Sequence, residues 1–290
     1  MTSSLNVIQS VQAHEGWIRH INRVNSHHIL TTSDDCTVKL WNWHTGNLIR
    51  VYEGHQDVVR QAHLLDDEHF LTASFDRTLR LWNLGRGEII RTFEGHESAV
   101  RVILPLDPPY IISGSEDETL RLWNLETNQQ ERIIRGHTEW INGIIRVDQH
   151  RILSGSGDYT LRLWDTKTWE TIRIFTGHTH WVANLAYVDQ NHALSAGSDG
   201  DIRLWDLEHG ETIQIYREHT NSVRSAIPFK DEWVVSVSFD QTMRLWKLAS
   251  GQLLETLAFT HAPLYVAALD EQHVAVGDEV GLLHIVQIQC

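Results

Sequence analysis

The sequence predicts an all-β chain that closes into a seven-bladed β-propeller, with four antiparallel strands in each blade. Three observations support this fold class. One phrase of about ten residues occurs six times, three residue types recur every 41 positions, and the segments between them alternate short apolar runs with turn residues. The 290 residues hold slightly more than seven periods of this length, so we expect seven units.

The repeated phrase joins Asp, Thr, an apolar residue, a basic residue, Leu and Trp, as in GSGDYTLRLWD at residues 155–165. A fixed period of this length indicates duplication of one structural unit. The Trp series is Trp41, Trp82, Trp123, Trp164, Trp205 and Trp246. The His series is His14, His55, His96, His137, His178 and His219. The Asp series is Asp35, Asp76, Asp117, Asp158, Asp199 and Asp240.

Each unit is predicted to form one small antiparallel sheet. The unit that starts at residue 55 contains HQDVVRQAHLL, HFLTASF, TLRLWNL and EIIRTFE, which are four short strand-like runs without a helical period. Such a sheet is apolar on both faces, so the copies must pack face to face in a ring. The predicted blades cover residues 14–53, 55–94, 96–135, 137–176, 178–217, 219–258 and 261–290.

The two ends of the chain are predicted to meet in the last blade. The stretch after residue 261 supplies only three strands, whereas NVIQSVQAH at residues 6–14 aligns with NLIRVYEGH at residues 47–55, which contains a fourth strand. The strand at residues 6–12 should therefore complete blade 7. This closure leaves only short outer edges exposed.

The recurring polar residues are predicted to form a hydrogen-bond network in each blade. The Asp and Thr satisfy backbone groups of a tight turn, and the Trp fills the space between blades. Its indole N–H needs an acceptor, and the Ser two residues before the Asp is the expected one. The best-defined networks are His55, Ser74, Asp76 and Trp82; His96, Ser115, Asp117 and Trp123; and His137, Ser156, Asp158 and Trp164. Gly197 replaces the Ser in blade 5, and Val280 and Val286 replace the Asp and Trp in blade 7, so we expect these two blades to be less tightly held.

Composition limits the compartment and the class of the protein. The chain is 41% hydrophobic and 21% charged, and no apolar run approaches the roughly 20 residues of a membrane span. The polar start MTSSLNVIQS does not resemble a signal peptide. Two cysteines, Cys36 and Cys290, are too few for a disulfide framework and indicate a reducing compartment. We therefore expect a cytoplasmic, monomeric, single-domain protein that does not bind membranes.

The repeated Ser, His and Asp residues do not predict an enzyme. A catalytic triad is needed once, whereas these residues recur six times at turn positions. The histidines of the series lie in different blades and are too far apart to share a metal ion. No P-loop, dinucleotide fingerprint or zinc spacing is present. We expect no catalytic residues, no cofactor and no metal.

The motifs closely resemble those of the WD-repeat family, with Gly-His pairs such as Gly54-His55, then Ser-x-Asp, then Trp-Asp or a variant of it. The resemblance covers nearly the whole chain. It implies a top face on which ligands bind around the central channel, through positions five and seven residues after the His and the residue before the Asp. Carried onto this sequence, these positions and their neighbours give Arg19, Arg60, Arg101, Arg224, Phe75, Phe239, Asn142, Trp140 and Trp181 as a candidate protein-binding surface.

Two alternatives stay open for this surface. The arginines could be inherited residues that Asp34 or Glu116 neutralises locally rather than ligand contacts. Three tryptophans that follow their His by three residues, Trp17, Trp140 and Trp181, could pack the loops rather than bind a ligand.

The opposite, bottom face is predicted to be acidic. Its loops contain ten acids against Lys230 alone: Asp66, Asp67, Glu68, Asp107, Asp148, Asp189, Asp231, Glu232, Asp270 and Glu271. With a net charge of −14, the chain should repel nucleic acid. These acids either serve solubility alone or attract a basic partner.

The sequence therefore predicts a non-enzymatic interaction module, a scaffold or sensor that binds a peptide or protein segment on the top face, with an acidic segment as the favoured partner. The near-identical repeats and the phrases GHTEWINGI, GHTHWVANL and AVGDEVGLLHIVQI also resemble propellers of bacterial STAND-type signalling ATPases. That resemblance implies, as an alternative, a sensory propeller separated from its effector and ATPase domains.

Overall fold

Seven four-stranded antiparallel sheets stand side by side in a ring in the computed structural model, which describes residues 3–289. Strand β1 is Ser4–Gln12. Blade 1 contains β2 (Ile18–Arg23), β3 (His28–Ser33), β4 (Val38–Asn42) and β5 (Asn47–Tyr52). Blade 2 contains β6 (Val59–Leu64), β7 (His69–Ser74), β8 (Leu79–Asn83) and β9 (Ile89–Phe93). Blade 3 contains β10 (Val100–Pro105), β11 (Tyr110–Ser115), β12 (Leu120–Asn124) and β13 (Gln129–Ile134).

The remaining blades repeat this arrangement. Blade 4 contains β14 (Ile141–Arg146), β15 (Arg151–Ser156), β16 (Leu161–Asp165) and β17 (Thr171–Phe175). Blade 5 contains β18 (Val182–Asp189), β19 (His192–Gly197), β20 (Ile202–Asp206) and β21 (Thr212–Tyr216). Blade 6 contains β22 (Val223–Phe229), the 3₁₀ turn Lys230–Glu232, β23 (Trp233–Ser238), β24 (Thr242–Lys247) and β25 (Leu253–Ala258). Blade 7 contains β26 (Pro263–Ala268), β27 (His273–Asp278) and β28 (Leu282–Gln289).

The ring is closed by the N-terminal strand. Strand β1 pairs antiparallel with β28, so the order in blade 7 is β1, β28, β27, β26, and the predicted closure is confirmed. On the inside of the ring, β26 contacts β2 of blade 1. The backbone N–H groups of Ala13 and His14 both donate to the Gly281 carbonyl, at 2.9 and 3.1 Å, which joins blade 7 to the loop that enters blade 1.

The core consists of the faces between neighbouring blades. Trp82 is 1% exposed and packs among residues of blades 1 and 2, including Leu30, Tyr52 and Phe70. The other five tryptophans of the series are buried in the same way between their own blade and the preceding one. At the face between blades 6 and 7 the corresponding residue is Val286, which packs among Val235, Met243 and other aliphatic side chains.

A hydrogen-bond network holds each buried indole in blades 1 to 6. In blade 4, Trp164 Nε1 donates to Ser154 Oγ at 2.8 Å, and His137 Nε2 lies 2.7 Å from the same oxygen. His137 Nδ1 is 2.7 Å from Asp158, whose carboxylate also accepts from Thr160 at 2.6 Å. Burial lowers the pKa of His137, which favours the neutral ring. With its proton on Nδ1, the ring donates to Asp158 and accepts from the hydroxyl, so every member of the network is satisfied.

The prediction that the Ser two residues before the Asp accepts the indole N–H was wrong. The acceptor is the hydroxyl four residues before the Asp: Thr31, Thr72, Ser113, Ser154, Ser195 and Ser236. Trp164 stands opposite Ile152 in the ladder. Ser154 is therefore about 7 Å along the strand from that point, whereas Ser156 is about 13 Å away and beyond the reach of the indole.

The serines that the sequence indicated, Ser74, Ser115 and Ser156, stabilise the turn instead. Each accepts the backbone N–H of the Asp two residues later, at 3.0 to 3.1 Å. Each also donates to a backbone carbonyl in the loop that leads into the first strand, at 3.0 to 3.2 Å. They connect the two top-face loops of one blade.

Blade 5 keeps the complete indole network despite Gly197. Trp205 Nε1 donates to Ser195 at 2.8 Å, and His178 bridges Ser195 and Asp199. The expectation that Gly197 weakens the hold on the indole was wrong, because the hydroxyl that accepts its N–H belongs to Ser195. Blade 5 lacks the turn bonds that Ser makes in other blades, and it lacks the Thr hydroxyl bond to the Asp, because Asp201 occupies the Thr position and only its backbone N–H donates to Asp199, at 3.2 Å.

Blade 7 uses a different polar network, which the sequence did not reveal. Asp278 is 1% exposed and accepts the backbone N–H groups of Val280 and Leu282, at 3.0 and 2.8 Å. His284 Nε2 faces this carboxylate at 3.4 Å, and its Nδ1 lies 2.7 Å from Ser10 Oγ. The network ties β1 to β28 side by side and so supports closure.

We expect deletion of residues 1–12 to lower the melting temperature by at least about 10 °C or to cause aggregation, because it exposes the edge of β28 and removes the partner of His284. Circular dichroism and light scattering measure both effects. As a control, Ile8→Ser changes a side chain of the same strand that is 53% exposed and should leave the melting temperature unchanged. A truncated chain that melts like the full one would contradict closure by β1.

We expect His137→Ala to cost about 2 kcal/mol of unfolding free energy, since Ser154 and Asp158 lose a buried partner. The matched variant is His261→Ala in blade 7. The His261 ring makes no hydrogen bond within residues 3–289, so this substitution should lower the unfolding free energy by less than about 0.5 kcal/mol. Urea unfolding of both variants measures the difference. Equal losses would show that the network contributes nothing specific.

Candidate functional site

A β-bulge in the innermost strand of every blade sets the candidate site. In blade 2, Val59 pairs with Ser74 and Gln61 with Ala73, so Arg60 is the extra residue left out of the ladder. The same register shift occurs in all seven sheets, and the residues left out are Arg19, Arg60, Arg101, Asn142, Ala183, Arg224 and Leu264. A bulge redirects a side chain out of the regular pleat. This explains physically why one position per blade can point at the mouth of the channel.

The structure brings all nine residues of the predicted binding surface together. They line a cavity of about 270 Å³ at the top of the ring, which we call the arginine pocket. Its lining is Trp17, Arg19, Arg60, Phe75, Arg101, Trp140, Asn142, Trp181, Ala183, Arg224 and Phe239. Trp17 and Ala183 are additions to the predicted set.

Two of the four arginines are neutralised by their own blades. Arg19 Nη2 donates to Asp34 at 2.7 Å, and Arg101 Nη2 lies 2.6 Å from Glu116. Arg101 also donates to Asn142 Oδ1 at 2.9 Å. The alternative of local neutralisation therefore applies to these two side chains.

Arg60 and Arg224 have no such partner. Within residues 3–289, no carboxylate oxygen lies within 4.0 Å of either guanidinium, and Arg60 donates only to the backbone carbonyl of Arg19, at 3.2 Å. Arg224 Nε is buried without a hydrogen-bond partner among these residues. Burial and the neighbouring arginines lower the pKa of Arg60 well below its usual value and that of Arg224 to about 10. Two guanidinium groups of the pocket lining thus carry positive charge without a carboxylate partner.

Aromatic rings form the walls of the arginine pocket. The Arg101 guanidinium lies 4.6 Å from the ring centre of Trp140 and 5.4 Å from that of Phe75. Arg224 lies 5.3 Å from Phe239, and Arg19 lies 4.5 Å from Trp17. Trp17, for which loop packing was one alternative, lines the pocket. The rings hold the guanidinium groups in place and offer apolar contact area.

The channel below the pocket holds a polar cluster that sequence analysis did not find. The rings of His20 and Tyr265 pack with their centres 4.5 Å apart and line a cavity of about 330 Å³. His63 lines the same cavity. Arg60 lines both this cavity and the arginine pocket. Burial lowers the pKa of His20 well below its usual value, lowers that of His63, and raises the pKa of Tyr265 to about 12. His20 Nδ1 has no partner within the described residues. These residues belong to no repeated motif, so the period gave no signal for them.

Comparison with known families identifies the repeat. The family described as "WD domain, G-beta repeat" matches six segments that together cover more than half of the chain: residues 5–42, 46–83, 87–124, 128–165, 169–206 and 210–247. The chain belongs to the WD40 family. No curated protein sequence matches it. Each segment of the WD40 pattern begins near the outer strand of one blade and ends with the third strand of the next.

Two Asn variants of the Trp-Asp dipeptide, Asn42 and Asn124, keep the role of the Asp in this WD40 chain. Asp165 Oδ1 accepts the backbone N–H groups of Lys167 and Thr168, at 2.7 and 2.9 Å. Asn42 Oδ1 accepts from the corresponding residues His44 and Thr45, at 3.1 and 3.2 Å. A side-chain carbonyl is sufficient for this turn, so Asn42 replaces Asp without loss of the bonds.

Five of the ten acids predicted on the bottom face have side-chain partners within residues 3–289. Asp66, Asp148, Asp189 and Asp270 each accept the backbone N–H two residues later, at 2.7 to 2.8 Å. The count of acids against Lys230 alone overstates the negative charge, because Arg151 lies 2.6 Å from Asp148 and Arg146 lies 2.8 Å from Asp107. The sequence analysis missed both arginines because Arg146 ends a strand and Arg151 begins one, so neither lies within a loop.

In residues 3–289, no helix is long and apolar enough to cross a bilayer.

We expect the free energy of unfolding to fall as the pH drops below about 6.5. Burial lowers the pKa of His14, His20, His55, His63, His96, His137 and His219 in the folded state. Near pH 6 the unfolded chain therefore binds more protons than the folded one, and acid favours unfolding. Urea midpoints at pH 8, 7, 6 and 5.5 measure the slope. A flat profile across this range would contradict neutral histidines in the networks.

Proposed function

We propose that this WD40 propeller binds a protein segment by taking an anionic group, a carboxylate or a phosphate, into the arginine pocket. The uncompensated charge of Arg60 and Arg224 is the observation that carries the proposal. A guanidinium surrounded by protein without an anion is unfavourable, and a bound oxyanion supplies the missing acceptors. Arg19 and Arg101 are already paired, so they shape the pocket rather than provide its free charge.

The chain's net charge of −14 fits short-range recognition of this kind. At physiological ionic strength, charges beyond about 8 Å are largely screened, so contacts inside the pocket decide affinity. The aromatic walls add apolar contact for the residues that flank the anionic group. Weak attraction at long range and strong attraction at contact favour a protein segment over a nucleic acid.

WD40 propellers are interaction modules in general, and a scaffold or sensor role without catalysis is the function that we propose for this one. The same pocket would be the sensory surface if the propeller belongs to a longer signalling ATPase. In either setting the chemistry of the ligand is the same, and the source of the segment is what differs.

Fluorescent ten-residue peptides with a central Glu, phosphoserine, Gln or Ser, each in many flanking sequences, test the proposal by fluorescence anisotropy. We expect binding among the Glu and phosphoserine peptides and none among their Gln and Ser counterparts. Equal binding of all four sets would contradict an anion site.

We expect Arg60→Met to weaken the best peptide by at least about 30-fold, because a central arginine contributes roughly 2 kcal/mol or more. The same change should raise the unfolding free energy by about 1 kcal/mol, since it removes an unpaired charge that is partly buried. The matched control is Arg23→Met on the bottom face, which should leave peptide affinity unchanged. If binding survives Arg60→Met but is lost on reversing the charges of Asp148 and Asp189, the ligand binds the other face.

A further inference from the structure

A second pocket lies on the top face beside the arginine pocket and has the opposite chemistry. It has a volume of about 490 Å³ and is lined by residues of blades 4 and 5, among them Glu139, Trp140, Tyr159 and Trp181. Trp140 and Trp181 line both pockets, and their ring centres are 5.5 Å apart. The indoles of Trp140 and Trp181 therefore separate the arginine pocket from the second pocket, whose lining contains no Lys or Arg.

The aromatic character of this second pocket is specific to blade 4. Tyr159 occupies the tip of the turn between β15 and β16 with a φ of 70° and is 42% exposed. The equivalent tip residues are Cys36, Arg77, Glu118, Gly200 and Gln241, none of which is aromatic. Trp181 is 40% exposed. Large exposed aromatic side chains on a rigid turn are contact surface rather than core.

The carboxylates of the second pocket lack basic partners. In four other blades the Asp of the network lies within 4.0 Å of a Lys or Arg: Asp35 with Lys39, Asp76 with Arg80, Asp117 with Arg121, and Asp240 with Arg244. In blade 4 the corresponding pair, Asp158 and Arg162, is farther apart than this limit, and Asp158 contacts only the neutral His137 and hydrogen-bond donors. Glu139 is exposed, and its carboxylate makes no hydrogen bond within residues 3–289.

We propose that the second pocket, formed by Glu139, Trp140, Tyr159 and Trp181, binds a lysine ammonium group of the same segment whose anionic group enters the arginine pocket. The faces of aromatic rings attract a cation, and unpaired carboxylates supply its counter-charge. The inference rests on the proposed function for the anionic half of the ligand. It makes the preferred ligand a bipolar segment with an acidic and a basic side chain close together.

Small probes separate the two pockets. The protein labelled with ¹⁵N is titrated with n-butylammonium, a lysine side-chain analogue, and the indole N–H signals of Trp140 and Trp181 are followed by NMR. We expect both signals to shift and to saturate in the millimolar range. The uncharged analogue 1-butanol should leave them in place, and equal shifts with 1-butanol would overturn a cation site.

A matched pair of variants tests the carboxylate. Glu139→Gln should weaken n-butylammonium binding about threefold, because it removes an exposed ion pair with the ammonium group. Asp57→Asn removes the same charge from the equivalent position of blade 2, where Asp57 caps the adjacent backbone N–H, and should have no effect. An equal response of the two variants would overturn the proposal.

Inorganic phosphate, added to the same unchanged protein and followed through the indole signal of Trp17, reports on the arginine pocket separately. Phosphate binding without n-butylammonium binding refutes the lysine pocket and leaves the proposed function intact. Binding of n-butylammonium without phosphate refutes the proposed function and with it a single bipolar segment. In the anionic peptides, a flanking Lys should bind more tightly than norleucine, and Glu139→Gln should remove that difference.

Discussion

The structure depends on one requirement, which is that each indole N–H buried between two blades must find an acceptor. A hydroxyl on the second strand meets it, a His orders the hydroxyl, and an Asp orders the His. The Asp also holds the turn between the second and third strands, and the His lies in the loop that enters the first strand. Satisfying a single buried donor thus fixes both loops that form the top face.

Because the networks hold each blade together, one residue per blade is not needed for stability and is available to contact a ligand. The networks involve the second and third strands and the loops, whereas the bulged residue of the innermost strand has no ladder partner and points at the channel mouth. Blades 1 and 3 place a paired arginine there, and blades 2 and 6 place an unpaired one. The unfavourable charge of Arg60 and Arg224 is tolerated because six networks stabilise the ring around them.

The sequence predicted what the period determines. Strand number, blade order and closure by residues 6–12 follow from alignment of the copies, and the grouping of the bulge positions follows from the family pattern. The choice of Ser156 over Ser154 as acceptor was wrong because it depends on the pleat and register, which fix how far an indole reaches along a strand. His20, His63 and Tyr265 gave no signal, because they occur once and meet only when different blades close the ring.

If both proposed sites bind as inferred, the two top-face pockets together would let an acidic protein select a partner that carries acidic groups. The net charge of −14 disfavours a segment that is only acidic, but only weakly, because screening leaves little repulsion beyond about 8 Å. The proposed bipolar segment has little net charge. It would approach without this repulsion and place its anionic group against Arg60 and Arg224 and its ammonium group against Glu139. Trp140 and Trp181 line both pockets and therefore lie between the two charged groups. Many sequences have little net charge, so net charge alone would not select the segment. Selectivity would then come from the arrangement of the acidic and basic side chains along it.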